Sequence, residues 1–217
     1  MNEGVAIFDL DRTLTRRDTY VPFLFGWFIR HPWICCRLAK LLFPACLFMC
    51  GKLDNTAMKE ACLTAFMAGA DRQRANAYAE WFARRIVRTG LRPKARIRIE
   101  EHRQRGDRLI LASASLDLYV EPLGQLLGFD RVIASRCAYD GKAVGGRLLG
   151  KSLRGEYKLQ AILAALGNDG AKVIAYSDHA SDLPLLRWAG KAVVVNPSSR
   201  FAIKAISLGL EIQNWNK

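Results

Sequence analysis

The stretch Val5-Ala6-Ile7-Phe8-Asp9-Leu10-Asp11-Arg12-Thr13 constrains this chain more than any other. Four apolar residues suited to a buried strand run straight into two aspartates one residue apart, and a hydroxyl side chain follows two places later. Burying Asp9 and Asp11 together without a counter-charge costs several kcal/mol, so a cation belongs at this strand end, most simply Mg2+ with its oxygen ligands. The competing reading is a strand followed by a helix N-cap, with Asp11 or Thr13 as the capping group. Taken alone, the stretch admits both.

Beyond residue 90 the chain alternates between strand and helix patterns. Pro93 opens a helix that stops at Gly106, residues 109–112 read as a second buried strand, and 116–127 read as a helix closed by Gly128. A strand at 132–135, a small hairpin marked by Asp140-Gly141 and a helix at 156–166 closed by Gly167 come next. Strands at 173–176 and 192–195 each lead into a helical stretch. This alternation argues for an α/β fold, a Rossmann-like doubly wound parallel sheet, with ligands at the carboxyl ends of its strands. Before residue 90 the pattern is helical. Asp54 caps a helix through about Ala68, and Asp71 caps another whose stripe Ala75, Ala79, Phe82, Ile86 faces one way. Residues 17–90 thus form an all-helical cap inserted after the first strand, leaving 1–16 and 91–217 for the core.

Within that cap, residues 20–52 read YVPFLFGWFIRHPWICCRLAKLLFPACLFMCGK, with four Lys or Arg and no acidic residue. A transmembrane helix needs roughly 20 mostly apolar residues. Here Arg30-His31-Pro32 divides the segment, and Arg37 and Lys40 interrupt its second half. A helical hairpin of this kind suits the headgroup region of an anionic bilayer, or else packs into its own domain or a dimer interface. The whole chain is basic, with 33 Lys plus Arg against 20 Asp plus Glu. Such a surface attracts polyanions, and charge alone does not rank nucleic acid, membrane or phosphorylated substrate. The six cysteines contain no CxxC pair and no zinc spacing, and residues 1–18 lack the apolar core of a secretory signal. The expected location is the cytoplasm, with a peripheral place on the inner face of its membrane.

Three further places carry suitable chemistry. Ser113-Ala114-Ser115 follows the second buried strand, where hydroxyls and backbone N–H groups can hold phosphate oxygens, although a helix cap explains a serine there equally well. Asp178 and Asp182 lie one helical turn apart after the 173–176 strand; alternatively Asp182 caps the next helix and Asp178 is a loop residue. Lys158, near the start of its helix, and Lys151 are equal candidates for a cation on chemistry alone.

The order Asp9-x-Asp11-x-Thr13, Ser113, Lys158, Asp178-x-x-x-Asp182 resembles the haloacid dehalogenase superfamily of phosphohydrolases. The runs FDLDRTLT, LILASAS, GEYK and AYSDHASDLPLL resemble its phosphoserine-phosphatase-like branch. The resemblance implies Asp9 as nucleophile and Asp11 as general acid and base. It implies Mg2+ held by Asp9, the backbone carbonyl of Asp11 and Asp178, with Asp182 behind the metal shell. Phosphate contacts fall to Thr13, Ser113, Ala114 and Lys158, the last preferred over Lys151 because Gly-Glu-x-Lys matches the family pattern. Two positions depart from that pattern. Arg12 stands where Gly is common, and Asp18 stands where phosphoserine phosphatases carry a substrate-binding cap glutamate, so Asp18 is a candidate for substrate or cap contact.

The expected activity is therefore a Mg2+-dependent phosphomonoesterase. Its apolar, cationic cap suits a lipid phosphate, and the arrangement resembles the phosphatidylglycerophosphate phosphatases of the branch. The alternatives are a soluble phosphatase for phosphoserine or another small phosphomonoester, and a non-catalytic protein that binds anions or membranes. No nucleic-acid partner is expected, because no RNA-binding aromatic motif or zinc finger is present.

Overall fold

In the computed structural model, which describes residues 4–216, β1 (Val5–Phe8) lies inside a six-stranded sheet. Its neighbours follow from the crossovers. The chain leaves β1 through the cap and α5 (Pro93–Gln104), adds β2 (Arg108–Leu116) beside it, then passes through α6 (Asp117–Leu126) to β3 (Arg131–Ser135) at the edge. It returns through α7 (Glu156–Leu166) to the other side of β1 as β6 (Val173–Ser177), and continues outward as β7 (Lys191–Val195) and β8 (Glu211–Gln213). Every pairing in this sheet is parallel. The direction of winding reverses at β1 and β6, and such a switch point leaves a crevice at the carboxyl ends of those strands.

Side-chain alternation divides β1 between two cores. Ala6 and Phe8 join the cluster that includes Tyr176, Leu109 and Trp215, while Ile7 joins Ile110, Ala175, Val194 and Ile162 on the opposite face. Phe8 stacks on Tyr176 at 4.7 Å and meets His102 edge-on at 5.6 Å. The expected strand windows all fall inside observed strands. One difference matters: β2 continues to Leu116, so Ser113 and Ser115 sit in strand backbone and neither caps α6.

The helical cap comprises α1 (Tyr20–Arg30), a second helical arm α2 (Pro32–Met49, in short α and 3-10 segments), α3 (Asn55–Met67) and α4 (Arg72–Arg85). Asp54 and Asp71 cap α3 and α4 by accepting from Ala57 N and Arg74 N. Ala75, Ala79 and Phe82 point inward together with Phe23, whose ring lies 4.6 Å from Tyr119 of α6. The two crossings between core and cap run side by side, with Arg16 N donating to Gly90 O and Arg92 N to Leu14 O. The hairpin β4 (Cys137–Asp140) to β5 (Ala143–Leu148) reaches up to the cap, where Gly69 N and Val144 O are 2.9 Å apart.

Residues 20–49 use their apolar side chains in two ways. Phe23, Leu24 and Trp27 of α1 are buried, whereas Val21, Phe25 and Ile29 are exposed. In α2 only Ile34 is buried, and Trp33, Leu42, Phe43 and Met49 are 67%, 74%, 72% and 87% exposed. Among the described residues α2 is the one helical stretch whose length and composition match a membrane span, although Arg37 and Lys40 lie within it.

Candidate active site

The turn after β1 is held open by a strained residue. Arg12 adopts φ 60°, a left-handed conformation that costs an L-residue about 1–2 kcal/mol, which explains physically why a glycine is the easier choice there. Its carbonyl accepts from Arg92 Nε at 2.9 Å and its N–H donates to Thr15 Oγ1 at 3.2 Å, so neighbours on both sides hold the turn. Asp9 leaves β1 with its N–H on Tyr176 O at 3.0 Å, and its carboxylate points into the crevice between β1 and β6.

Three carboxylates and one ammonium meet there. Lys158 Nζ donates to Asp9 Oδ1 and to Asp182 Oδ2, each at 2.7 Å, and all three side chains are almost completely buried. Ser177 Oγ adds a bond to Asp182 Oδ2 at 2.8 Å. Lys158 reaches this point because Gly155, at φ 62°, turns the chain into α7 with a backbone that other residues rarely adopt. The structure thereby separates the two lysine candidates. Lys151 lies on the surface, 3.4 Å from Asp54.

Thr13 is fully buried beside the crevice and does not line it. Its hydroxyl donates to Asp9 Oδ2 at 3.0 Å and accepts from Asp178 N at 2.9 Å. The hydroxyl thus orients the Asp9 carboxylate and anchors the backbone of Asp178. Ser113 is also fully buried, with its Oγ accepting from Ser115 N at 3.0 Å, and the crevice wall beside it is formed by Ala114 and Ser115. Asp182 sits at the start of α8 (Leu183–Trp188) but makes no cap bond, since its carboxylate is taken by Lys158 and Ser177.

Asp11 faces the cap instead of Lys158. One carboxylate oxygen accepts from Thr19 N and Thr19 Oγ1 at 2.6 Å each, and the other from Ser115 Oγ at 2.6 Å. Thr19 in turn meets Tyr119 OH at 2.9 Å. Asp11 therefore ties the first residue before α1 to the wall of β2. Asp18 lines the same crevice and accepts from Tyr20 N at 3.0 Å, which also makes it a cap for α1.

Charge in the crevice is incompletely balanced. Burial pushes Asp9 up to about 7 against the opposing pull of Lys158, with Asp182 and Asp178 adding to the rise. Burial, reinforced by Asp182, likewise lifts Asp178 to about 6. Burial lifts Asp11 above the usual carboxylate range, helped by Asp18 and opposed by the bonds from Ser115 and Thr19. Lys158 stays protonated: burial disfavours its charge, and Asp182 and Asp9 more than restore it. On the floor Lys158 is the ammonium bonded directly to Asp9 and Asp182, and a cation with oxygen ligands beside Asp9 and Asp178 would relieve the negative charge that remains. Oxygens of Asp9 and Asp178 both lie near Thr13 Oγ1, at 3.0 and 3.4 Å, so the two carboxylates converge from adjacent strand ends. Among the described residues there is no cluster of three or more His, Cys, Asp or Glu side chains arranged to hold a metal. Two carboxylates with a backbone carbonyl nevertheless fit Mg2+, which keeps several of its own waters.

The crevice above this floor is a pocket of about 520 Å³. Its walls include Arg12, Asp18, Tyr20, Val21 and Asn55 together with Arg154, His179 and Ser181, and Arg154 Nη1 donates to Asn55 Oδ1 at 3.2 Å. Lys59 of α3 also enters it, bonded to Ala114 O and to Ser152 Oγ, the latter at 2.9 Å. Sequence reasoning passed over Lys59, Thr19 and Tyr119. A lysine on a cap helix carries no mark distinguishing it from a surface lysine, and Tyr119 reads as an ordinary core aromatic.

With the site assembled, relatives can be compared. A family model for haloacid dehalogenase-like hydrolases matches residues 6–187. The chain is 25% identical to the histidinol-phosphatase of Neisseria meningitidis serogroup C (strain 8013), across 98% of this chain and 99% of the relative. A solved protein of unknown function from Bordetella pertussis Tohama I superposes with TM-score 0.81 at 23% identity, with 98% of each chain covered. A substrate-bound phosphoserine phosphatase superposes with TM-score 0.66 at 17% identity, covering 100% of this chain and 94% of that one. The chain belongs to the haloacid dehalogenase-like hydrolase family, as a phosphoric monoester hydrolase with the capped fold of the phosphoserine-phosphatase-like branch.

Proposed function

We propose that this phosphatase acts on a lipid phosphate such as phosphatidylglycerophosphate, at the inner face of the cytoplasmic membrane. Asp9 attacks phosphorus, displacing the leaving alcohol and forming an aspartyl phosphate, and water then cleaves that acyl phosphate. Asp11 gives its proton to the leaving oxygen and takes one from the water, a task suited to a buried carboxyl held above the usual range. Lys158, with backbone groups at Ser113 and Ala114, holds the phosphoryl oxygens, while Thr13 and Asp182 fix the carboxylates and Lys158 in place. Asp9, Asp178 and the backbone carbonyl of Asp11 would hold Mg2+, which would supply positive charge against the phosphoryl oxygens and the nucleophile.

The observation that carries the lipid reading is the position of the exposed apolar face. Tyr20 and Val21 line the catalytic pocket, and the same helix presents Val21, Phe25 and Ile29 outward beside the bare apolar side of α2. Arg30, Arg37, Lys40 and Lys52 fall in the same stretch of sequence, and residues 19–53 contain no carboxylate. Apolar surface edged by cations suits an anionic headgroup layer. Co-sedimentation with anionic vesicles tests this: binding that fails to exceed binding to neutral vesicles counts against it. The second reading is a soluble phosphomonoesterase, favoured by the polar lining of the pocket and by the full-length similarity to a histidinol-phosphatase. A second copy of the chain would then cover the apolar face, and sedimentation would detect a stable dimer in the absence of lipid.

A further inference from the structure

The cap holds a second pocket that the phosphatase chemistry does not use. It lies at the elbow where α1 turns into α2, has a volume of about 490 Å³ and shares no lining residue with the catalytic pocket. One wall is a ladder of rings: His31 stacks on the buried Trp27 at 3.9 Å, and Trp33 meets His31 edge-on at 5.0 Å. Arg37 and Arg74 line the same space. Arg37 Nη1 donates to Ala68 O at 2.7 Å, so the open carbonyl end of α3 fixes its place. Among the described residues neither guanidinium pairs with a carboxylate. The one acid described in the lining, Asp71, is engaged in capping α4, where it accepts from Arg74 N at 3.0 Å.

Rings alone suit a cationic headgroup. Two unpaired guanidinium groups repel one, and offer paired N–H donors to a phosphodiester instead. Trp33 lines the pocket yet stays exposed, as do Leu42 and Phe43 further along α2, so polar recognition and apolar surface meet on one helix. Val21 lines the catalytic pocket and Trp27 the elbow, on one helix and about 9 Å apart at 1.5 Å per residue. We propose that the elbow pocket binds the headgroup of an anionic glycerophospholipid, a phosphodiester on which the enzyme docks and which it does not cleave. Arg37 and Arg74 take the diester oxygens, and the bound lipid keeps the catalytic entrance at the bilayer surface. This inference rests on the membrane reading above and deepens it.

Dihexanoyl-phosphatidylglycerol, kept below the concentration at which it forms micelles, is the probe. A monomeric lipid presents no charged surface, so diffuse attraction to a basic protein drops out. Titration calorimetry on the full chain should show saturable binding, with dihexanoyl-phosphatidylcholine at least about tenfold weaker because its cation meets like charge. Arg37→Ala and Arg74→Ala should each weaken binding about tenfold, whereas Lys40→Ala, outside the pocket, should leave it within about twofold. Thermal melts check folding, and Arg74→Ala should keep the wild-type Tm because that side chain is exposed. Absence of saturable binding, or equal affinity for the choline lipid, overturns the inference. Indifference to both arginine substitutions also overturns it, since the lipid then sits elsewhere. Co-sedimentation with anionic vesicles separates this inference from the reading beneath it. Wild-type partition without binding of the short-chain lipid removes the docking pocket and leaves the membrane reading standing; no partition at all removes both.

Discussion

The floor of the pocket and the outer face of the 20–52 hairpin treat charge and apolar surface in opposite ways. On the floor, Asp9, Asp182 and Lys158 are taken out of water, and each is matched to partners at 2.7–3.0 Å by Thr13, Ser177 and one another. On the hairpin, Phe43, Leu42 and Met49 are left in water and only cations stand nearby. Each arrangement costs free energy in the isolated chain, since buried charge needs compensation and exposed apolar area gains none of the burial energy of about 25 cal/mol per Å². The floor offsets part of its cost internally, through Lys158, Thr13 and Ser177, and the remaining negative charge suits a cation. The hairpin leaves its cost to be offset by whatever covers it, and the two regions meet at Tyr20 and Val21.

The comparison breaks most completely at Asp9. Asp9→Asn removes the nucleophile and should lower phosphate release by at least about 10⁴-fold, with little change in Tm, because Asp182 still pairs Lys158. Retention of substantial turnover would assign the chemistry elsewhere. Lys158→Met comes next. It strips two buried carboxylates of their ammonium, so turnover should fall about 10²- to 10³-fold and stability by about 3 kcal/mol, measured by phosphate release and urea unfolding.

On the hairpin, the double substitution Arg37→Glu/Lys40→Glu should weaken partition onto anionic vesicles by about tenfold or more, given about 1 kcal/mol per basic residue near such a surface. High salt should erase that difference, while Phe25→Ser/Phe43→Ser should weaken binding at every ionic strength. Partition that ignores both pairs would show that the hairpin's partner is not lipid. The smallest expected effect lies under the floor, where the fully buried His102 bridges Asp107 and Tyr176 OH at 2.7 and 2.8 Å. Burial lowers its pKa below the ordinary value near 6.5, although Asp107 pulls upward and Arg105 and Arg98 downward. As pH falls below about 6.5 the unfolded chain takes up the proton before the folded one, so this contribution is complete above that pH and is lost below it. Tm should drop by a few degrees between pH 7 and 5, with a shallower slope in His102→Gln.

Five of the six strands were legible because each carries a continuous apolar run, whereas β8, Glu211-Ile212-Gln213, has one apolar residue between two polar ones and gives no such signal. Asp9, Asp11, Asp178 and Asp182 stood out only as a set, because each pair alone reads equally well as a helix cap or loop and the order of the motifs along the chain singles them out. The roles of Thr13 and Ser113 were harder to read, since a short motif does not say whether a hydroxyl faces the crevice or the backbone beneath it. Lys59 and Tyr119 were invisible for a different reason: their contacts arise from packing of cap against core, between positions 55 and 93 residues apart for Lys59 and 100 for Tyr119. The exposure of α2 could not be read from its composition, because the same apolar residues would serve a buried helix equally well.

The most direct test of the account is Mg2+-dependent phosphate release by the purified protein from phosphatidylglycerophosphate in anionic vesicles. Phosphatidic acid, phosphoserine and soluble phosphomonoesters run in parallel, with Asp9→Asn as the blank. The account predicts Asp9-dependent release that favours the vesicle-borne diester over every soluble ester by at least about tenfold, and that falls when the hairpin charges are reversed. A clear preference for a soluble ester would contradict it.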